Sequence, residues 1–342
     1  MVFRMLKKLI NKPGNEVREM LEGMSMAFPE IIRLDNQWNN VYRAYKKANK
    51  VALVSGGGSG HEPAHAGYVG FGMLDAACAG ATFTSPTVPQ ILASIKEVST
   101  EKGVLVIIKN YSGDVMNFNS AAKIAQSQGI KVDSVIVNDD VAITDRSRRR
   151  GTTITVLVHK IAGAGAEEGL ELKEVKRLAE KVIENGRDIG VALTPCSVPA
   201  AGKPTFELGE DEVEFGIGIH GEPGVQRMKY VESWSFAKMM IDKILDDLKL
   251  TPGDEVALIV QGTGGTPYME KFVFYRDARK YAESLGLKVA VSWVGEFMTS
   301  LEMQGGRIAM LRLDEELKRL LMYPAYTIAI RNTGPFISTL VS

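Results

Sequence analysis

Four histidines, His61, His65, His159 and His220, are the side chains of this sequence suited to acid–base or nucleophilic work near neutral pH. Two of them stand in glycine-rich stretches, Ser55-Gly-Gly-Gly-Ser-Gly-His61-Glu62-Pro63 and Gly216-Ile-Gly-Ile-His220-Gly221-Glu222-Pro223-Gly224. In both, a strand-like run passes into small residues and then an imidazole, so backbone N–H groups and the ring can approach one small polar ligand together. A satisfied core histidine is the poorer explanation at either place. His159 sits among Val156, Leu157, Val158 and Ile161 and reads as structural. His65, expected one turn into a helix, reads as a packing or capping residue.

Other candidates follow from the same question. His61-Glu62-Pro63-Ala64-His65 matches H-E-x-x-H, but that motif needs both histidines on one helix face. Pro63 suits a first helical turn, which leaves His61 ahead of the helix and argues against zinc. The glycine run lacks the Gly-Lys-Ser/Thr of a phosphate loop, and His61 stands where a dinucleotide fingerprint needs its third glycine. Asp114 follows Gly113 at the start of a helix and reads either as an N-cap or as an acid–base group. Lys109 ends an apolar strand, where a charge without a partner would be costly, and so points to a ligand or carboxylate contact. Arg146, Arg148, Arg149 and Arg150 form either a site for phosphate or an acidic partner, or a solvated loop.

The elements that must position these groups alternate between strand and helix. Val17, Met20, Leu21, Met24 and Phe28 recur at helical spacing and predict an amphipathic helix over 14–28. Strands are expected at Val51 to Ser55, Gly103 to Lys109 and Lys131 to Val137, with helices near 90–98 and over 115–128, the rhythm of a parallel sheet. Three polar loops, Gly56 to Glu62, Lys109 to Asp114 and Asn138 to Asp140, then meet at one sheet edge. Helices over 153–164 and 171–185 follow. After residue 186 strands recur at 190–193, 213–219, 256–260, 287–294, 307–313 and 326–330, with helices over 231–249, 268–285 and 314–322. The fold class expected is α/β: two α/β domains, 1–186 and 187–342, each a mixed or mainly parallel sheet covered by helices.

A length of 342 residues fits two such units of roughly 150 residues each. Lysine plus arginine equal aspartate plus glutamate at 41 each, so no global field calls for nucleic acid or an acidic membrane. No apolar run approaches the about 20 residues of a membrane span, and Cys78 and Cys196 lie far apart without a Cys-x-x-Cys pair, as in a cytoplasmic protein.

Taken together, Ser55 to Pro63, Phe83-Thr-Ser-Pro86, Ile107-Ile-Lys-Asn-Tyr-Ser-Gly-Asp114, Asn138-Asp-Asp-Val-Ala142, Val198-Pro-Ala-Ala-Gly-Lys-Pro204 and Glu214 to Gly224 resemble the K subunit of dihydroxyacetone kinase, in order, from about residue 7 to about 330. The resemblance implies a cytoplasmic homodimer that binds dihydroxyacetone, with no direct nucleic-acid or membrane contact. It implies that His220 forms a hemiaminal with the ketone carbon, a bond that only a carbonyl compound can make, so glycerol is rejected. His61 and Asp114 would flank the hydroxyl that receives phosphate as acid–base groups, and Gly58, Ser59, Gly60 and Lys109 would hold the substrate. No cofactor or metal is expected on this chain. A separate L subunit would bring a nucleotide with magnesium, recharged by a phosphocarrier of the phosphoenolpyruvate phosphotransferase system or exchanged as ATP.

Two stretches depart from the family pattern. Ser147-Arg148-Arg149-Arg150-Gly151 is shorter than the usual Ala-Gly-Arg-Arg-Gly loop, and Gln261-Gly-Thr-Gly-Gly-Thr-Pro267 stands where an Asn-Gly-x-Gly-Ala-Thr-Pro type loop is usual. Both are expected to face the nucleotide-bearing partner. They keep an alternative open, a paralogue that binds dihydroxyacetone and co-activates transcription of the kinase operon through a regulator.

Overall fold

Strands whose successive side chains are all apolar can be covered on both faces, and this sequence has such strands in each half. The computed structural model describes residues 7–45 and 49–332. Its strands in chain order are β1 (Ile32–Leu34), β2 (Asn40–Arg43), β3 (Ala52–Ser59), β4 (Gly70–Phe71), β5 (Ala76–Thr82), β6 (Val104–Lys109), β7 (Val132–Val137), β8 (Gly186–Ala192), β9 (Glu212–Phe215), β10 (Gln226–Lys229), β11 (Glu255–Gly262), β12 (Lys288–Gly295), β13 (Gly305–Arg312), β14 (Ala325–Thr327) and β15 (Arg331–Asn332). Its α-helices are α1 (Glu16–Ala27), α2 (Val88–Val98), α3 (Ser112–Ser127), α4 (Ile154–Glu167), α5 (Leu172–Asn185), α6 (Ser233–Leu248), α7 (Tyr268–Ser284) and α8 (Glu315–Leu321).

The first sheet has the order β1-β2-β5-β3-β6-β7. β5, β3, β6 and β7 run parallel, and β2 and β1 extend the edge antiparallel. The second has the order β10-β9-β8-β13-β11-β12. There only β11 and β12 are parallel, because β12 returns to β13 through a loop rather than a crossover helix and β13 enters antiparallel between β11 and β8. Both sheets are mixed, as the α/β reading expects. A small sheet, β15-β14-β4, ties the end of the described chain to the first half.

Alternation along the strands shows how the layers stack. On β11, Val256, Leu258 and Val260 pack with Phe236, Met240 and Ile244 of α6, whereas Ala257 and Ile259 face the opposite way. On β6, Val104, Val106 and Ile108 meet Ile91, Ile95 and Phe118 of α2 and α3, whereas Leu105 and Ile107 face inward. The inward sets join one apolar cluster that also contains Val156, Leu157 and Ile161 of α4, Leu178 and Val182 of α5 and Leu317 and Leu320 of α8. Helices therefore lie between the two sheets as well as outside them. α4 is buried along its whole length, and at Gly163 any Cβ would lie 2.5 Å from the Gly72 carbonyl oxygen.

Two local expectations are corrected. His65 does not enter an α-helix, since the segment after it makes only a single 3₁₀ turn over Ala66–Tyr68. β5 was not expected from the sequence: its run of Ala, Cys, Gly and Thr has neither the bulk nor the alternation of a typical strand, and it forms because small side chains let it pack against the glycine strand.

Candidate functional site

β3 delivers the glycine loop to the edge of the first sheet, fully buried, and Gly60 turns the chain at φ +99° into His61. His61 Nδ1 lies 2.7 Å from the Thr299 carbonyl oxygen. A carbonyl only accepts, so Nδ1 carries the hydrogen and Nε2 keeps its lone pair. That Nε2 is buried and has no protein partner. Burial, followed by the charges of His220 and Lys109, holds the imidazole well below its ordinary pKa. His61 is a neutral base at pH 7.

His220 comes from the other sheet, in the loop between β9 and β10. Its Nδ1 is 2.6 Å from Glu222 Oε1, and its backbone N–H donates to Glu222 Oε2 at 2.9 Å. Burial raises the pKa of Glu222, but the hydrogen bond and charge of His220 outweigh it and hold the carboxyl down at about 2. An ionised carboxylate on Nδ1–H leaves the Nε2 lone pair outward, the arrangement of a nucleophilic imidazole. The carboxylate folds back only because residue 218 is glycine, where a Cβ would stand 2.0 Å from Glu222 Oε2. Three rings fix the imidazole: His61 at 4.7 Å, Tyr111 at 4.7 Å and Phe83 at 5.2 Å between centroids, each edge-on.

Lys109 closes β6 and Asp114 occupies the first turn of α3. Lys109 Nζ and Asp114 Oδ2 are 4.0 Å apart, and both side chains are buried. Burial lowers the Lys109 pKa against the opposing charges of Asp114 and Glu222. Asp114 is not the N-cap, which is Tyr111, so its carboxylate is not consumed by helix capping. Lys109 Nζ, Asp114 Oδ1, Tyr111 Oη and His61 Nε2 are all buried without a hydrogen-bond partner. One such atom costs about 1–3 kcal/mol. Four in one region describe a surface complementary to a ligand with several hydroxyl and carbonyl oxygens.

The structure thus brings together His61, His220, Lys109 and Asp114. Gly57 separates them by no more than a backbone, since a Cβ there would lie 2.7 Å from Lys109 Nζ and 3.3 Å from Asp114 Oδ2. Gly58, Ser59 and Gly60 line the same strand end with parts of their polar groups engaged in the frame. Ser59 Oγ donates to the Gly80 carbonyl at 2.7 Å, the Gly60 N–H meets the Glu62 carboxylate at 3.1 Å, and Gly58 packs against the Phe83-Thr84 backbone.

Several residues that matter here were not anticipated. Glu222 was legible in principle, two residues after His220 in the same turn, whereas Thr299 and Phe83 act through position alone. Half of the arginine loop is interior: Arg149 and Arg150 are buried, whereas Arg146 and Arg148 stay at the surface. Arg149 pairs with Asp247, Arg146 pairs with Glu184, and Arg150 bonds Asp140 Oδ2 at 2.9 Å and the Gly216 carbonyl at 2.7 Å. Arg307 completes this buried cage, reaching Asp188 Oδ1 at 2.8 Å through Nε and the Ile217 carbonyl at 2.9 Å through Nη1. Two arginines therefore hold the carbonyls just ahead of the His220 loop. Gln261, expected to face a partner, is fully buried. His65 and His159 stack edge-on at 5.2 Å in the core, with burial pushing His159 down to about 3. Among the described residues no cluster of three or more His, Cys, Asp or Glu is arranged to hold a metal, and no helix is long and apolar enough to cross a membrane.

Fold and site define an α/β protein with two large sheets whose candidate site, walled by one histidine from each sheet, gathers buried polar atoms suited to a small polar ligand. The chain belongs to the Dak1 domain family, whose sequence profile matches residues 22–329. It is 48% identical to a "PTS-dependent dihydroxyacetone kinase 1, dihydroxyacetone-binding subunit DhaK" of Listeria innocua, over 95% of this chain and 100% of that protein. It is 38% identical to the "PEP-dependent dihydroxyacetone kinase, dihydroxyacetone-binding subunit DhaK" of Escherichia coli, over 95% of this chain and 99% of that protein. Among solved structures it superposes on the "Dihydroxyacetone kinase operon co-activator Dha-DhaQ" with a TM-score of 0.89 at 37% identity, covering 94% of this chain and 99% of that one. The dihydroxyacetone kinase of C. freundii in complex with AMP-PNP and Mg2+ gives a TM-score of 0.86 at 34% identity, over 95% of this chain and 61% of that one. The resemblance to K subunits read from the motifs is borne out.

Proposed function

We propose that this chain is the dihydroxyacetone-binding subunit of a dihydroxyacetone kinase, with His220 as the covalent anchor of the ketone. The observation that carries this reading is the 2.6 Å contact of His220 Nδ1 with Glu222, which leaves Nε2 as the nucleophile. Nε2 adds to the ketone carbon, the carbonyl π bond opens, and its oxygen takes up a proton from solvent water to give the hemiaminal alcohol, with Nδ1 keeping its hydrogen. Glu222 balances the positive charge that develops on the ring. Adduct formation fixes the three-carbon chain so that a terminal hydroxyl lies among His61, Lys109 and Asp114. His61 Nε2 or Asp114 removes the hydroxyl proton as its oxygen attacks the phosphoryl group, and Lys109 neutralises charge on the acceptor oxygens. A separate L subunit supplies that phosphoryl group from a nucleotide with magnesium, and the product is dihydroxyacetone phosphate.

Residues 1–186 supply the glycine loop, Lys109 and Asp114, and residues 187–342 supply His220, a division of labour between two α/β units. We place the chain's action in the cytoplasm, and the PTS-dependent and PEP-dependent names of the relatives support a phosphoryl supply from the phosphotransferase system. Tyr268, Met269 and Phe272 of α7 are exposed, and with Tyr230 they support a homodimer through this face, which light scattering would measure. The 0.89 TM-score to the co-activator supports a second reading, in which the same pocket senses dihydroxyacetone for a transcriptional regulator.

One experiment separates them. Native mass spectrometry with dihydroxyacetone reports the adduct, and a coupled assay with an L subunit and phosphoryl donor reports turnover. Adduct with turnover supports the kinase subunit, adduct with ligand-dependent regulator binding and no turnover supports the sensor, and no adduct overturns both.

A further inference from the structure

We infer that Gln261 is a positioning residue for His61: it sets the ring tautomer and aim of the base through the backbone of residues 297–299. The inference deepens the kinase reading and rests on it.

Gln261 sits near the end of β11, fully buried. Its amide makes every hydrogen bond a primary amide can make with two donors and two acceptor lone pairs. Oε1 accepts from the backbone N–H groups of Phe297 at 3.0 Å and Met298 at 2.7 Å. Nε2 donates to the Met298 carbonyl at 2.9 Å and to Thr153 Oγ1 at 3.0 Å. One side chain thus grips three successive peptide groups and is itself anchored to α4's N-cap residue.

The residue after Met298 is the one that sets His61. The Thr299 carbonyl accepts from His61 Nδ1 at 2.7 Å, the Thr299 N–H donates to the His61 carbonyl at 3.2 Å, and the Thr299 hydroxyl donates to the Glu62 carbonyl at 2.8 Å. Leu301 N–H closes the same seam on the Gly60 carbonyl at 2.8 Å. Residues 297–301 are therefore held by Gln261 on one side and by Gly60 to Glu62 on the other, with Tyr68 Oη donating to the Phe297 carbonyl at 2.6 Å and the Ser300 N–H to the Thr263 carbonyl at 2.8 Å. Segment 297–301 is a loop without regular ladder bonds of its own, so its carbonyl directions are fixed by these contacts. Without the Gln261 grip the three peptide groups from Glu296 to Thr299 each lose a hydrogen bond, while the Ser300 N–H keeps its bond to the Thr263 carbonyl, so the Thr299 carbonyl shifts from its aim on Nδ1 and the ring hydrogen is no longer confined to that nitrogen.

Asparagine, the residue usual in the family at this position, is one methylene shorter and in this backbone cannot keep the peptide contacts together with Thr153. The long side chain is what the geometry uses.

The test uses the full chain as Gln261→Asn and Gln261→Met, the second similar in length but unable to make these hydrogen bonds. The first readout is the nitrogen-15 NMR tautomer signature of the His61 ring, which needs no turnover. The wild type is expected to show a single Nδ1–H tautomer, and both variants a mixture. The second readout is kinetic: kcat with an L subunit falls about 10²-fold, as for a misplaced catalytic group, while adduct formation at His220 is unchanged. A merely structural role would lower adduct and turnover together. An unchanged tautomer in a folded Gln261→Asn variant overturns the inference, and should Gln261→Met not fold, the asparagine variant decides alone. If the wild type has no turnover with any L subunit, the kinase reading fails while the NMR comparison still judges Gln261.

Discussion

His61 and His220 follow strands of different sheets, yet their ring centroids lie 4.7 Å apart, edge to face. Each ring is pinned through Nδ1, to the Thr299 carbonyl and to the Glu222 carboxylate, so both keep Nε2 for the pocket. The difference between a peptide carbonyl and a carboxylate as partner divides their work. In the proposed mechanism the buried His61 offers its lone pair as a base, whereas His220, partly exposed, has an anion behind it to stabilise the charge that would develop on forming a bond.

Replacing Glu222 with glutamine keeps an acceptor for Nδ1–H and removes the charge. The rate of adduct formation with dihydroxyacetone is expected to fall about 10²-fold, within the range for groups that assist proton and charge movement. His220→Ala is expected to remove the adduct altogether. Native mass spectra collected over time distinguish slow from absent labelling, and equal rates in Glu222→Gln and wild type would contradict the carboxylate's role.

His61→Asn should leave the adduct intact and lower turnover about 10²–10⁴-fold. The wild-type pH profile carries a second signature. A base works while deprotonated, so its contribution is lost only as pH falls through its own pKa. Because burial, His220 and Lys109 depress that pKa, the acid limb of kcat should lie below the ordinary histidine range, near about 6.5. A limb centred at the ordinary value would assign the base elsewhere.

Arg307→Met tests the buried cage behind the His220 loop. The substitution leaves Asp188 without the guanidinium that faces it and frees the Ile217 carbonyl. Breaking a buried pair at one end costs about 3–5 kcal/mol, so the urea midpoint should drop markedly. Since Arg150 still holds Gly216, adduct formation at low temperature should slow rather than vanish. A stability loss below about 1 kcal/mol would show that the cage is solvated in solution.

His61, His65 and His159 are all buried with pKa values depressed first by burial. For each, the unfolded chain binds the proton more tightly than the folded one. Stability is therefore full above the unfolded value of about 6.5 and declines as pH falls below it, by up to about 1.4 kcal/mol per pH unit for each histidine. For His159 the window extends down to about 3. Denaturant titrations from neutral to acid pH should show this slope, and His159→Phe should reduce it by about one proton. A slope unchanged in that variant would mean that His159 titrates normally in the folded protein.

The sequence made the glycine loop, the strands at Val104 and Val132 and the helices after them legible, because apolar runs and their flanking turns report parallel strands directly. It could not show that β13 enters the second sheet antiparallel, since strand direction depends on a loop whose path leaves no periodic trace. Nor could it separate Arg150 from Arg148. The first turns inward to Asp140 and Gly216, and the second remains exposed, although they are two residues apart in one basic run. Of the two readings of Asp114, the cap falls to a single fact of position, since Tyr111 is the N-cap and Asp114 lies within the first turn of α3. His65 was misplaced because proline and histidine after a glycine loop imitate a helix start.

α4, buried on every side, also has a consequence for how a ligand reaches the pocket. It touches β3 and β6 of one sheet and β8 and β13 of the other, so it sets the spacing between the two walls as a keystone sets an arch. The walls cannot swing apart like jaws without exposing that helix to water. Movement of the loops that carry Phe83 and His220, by contrast, would open the site while leaving that helix covered.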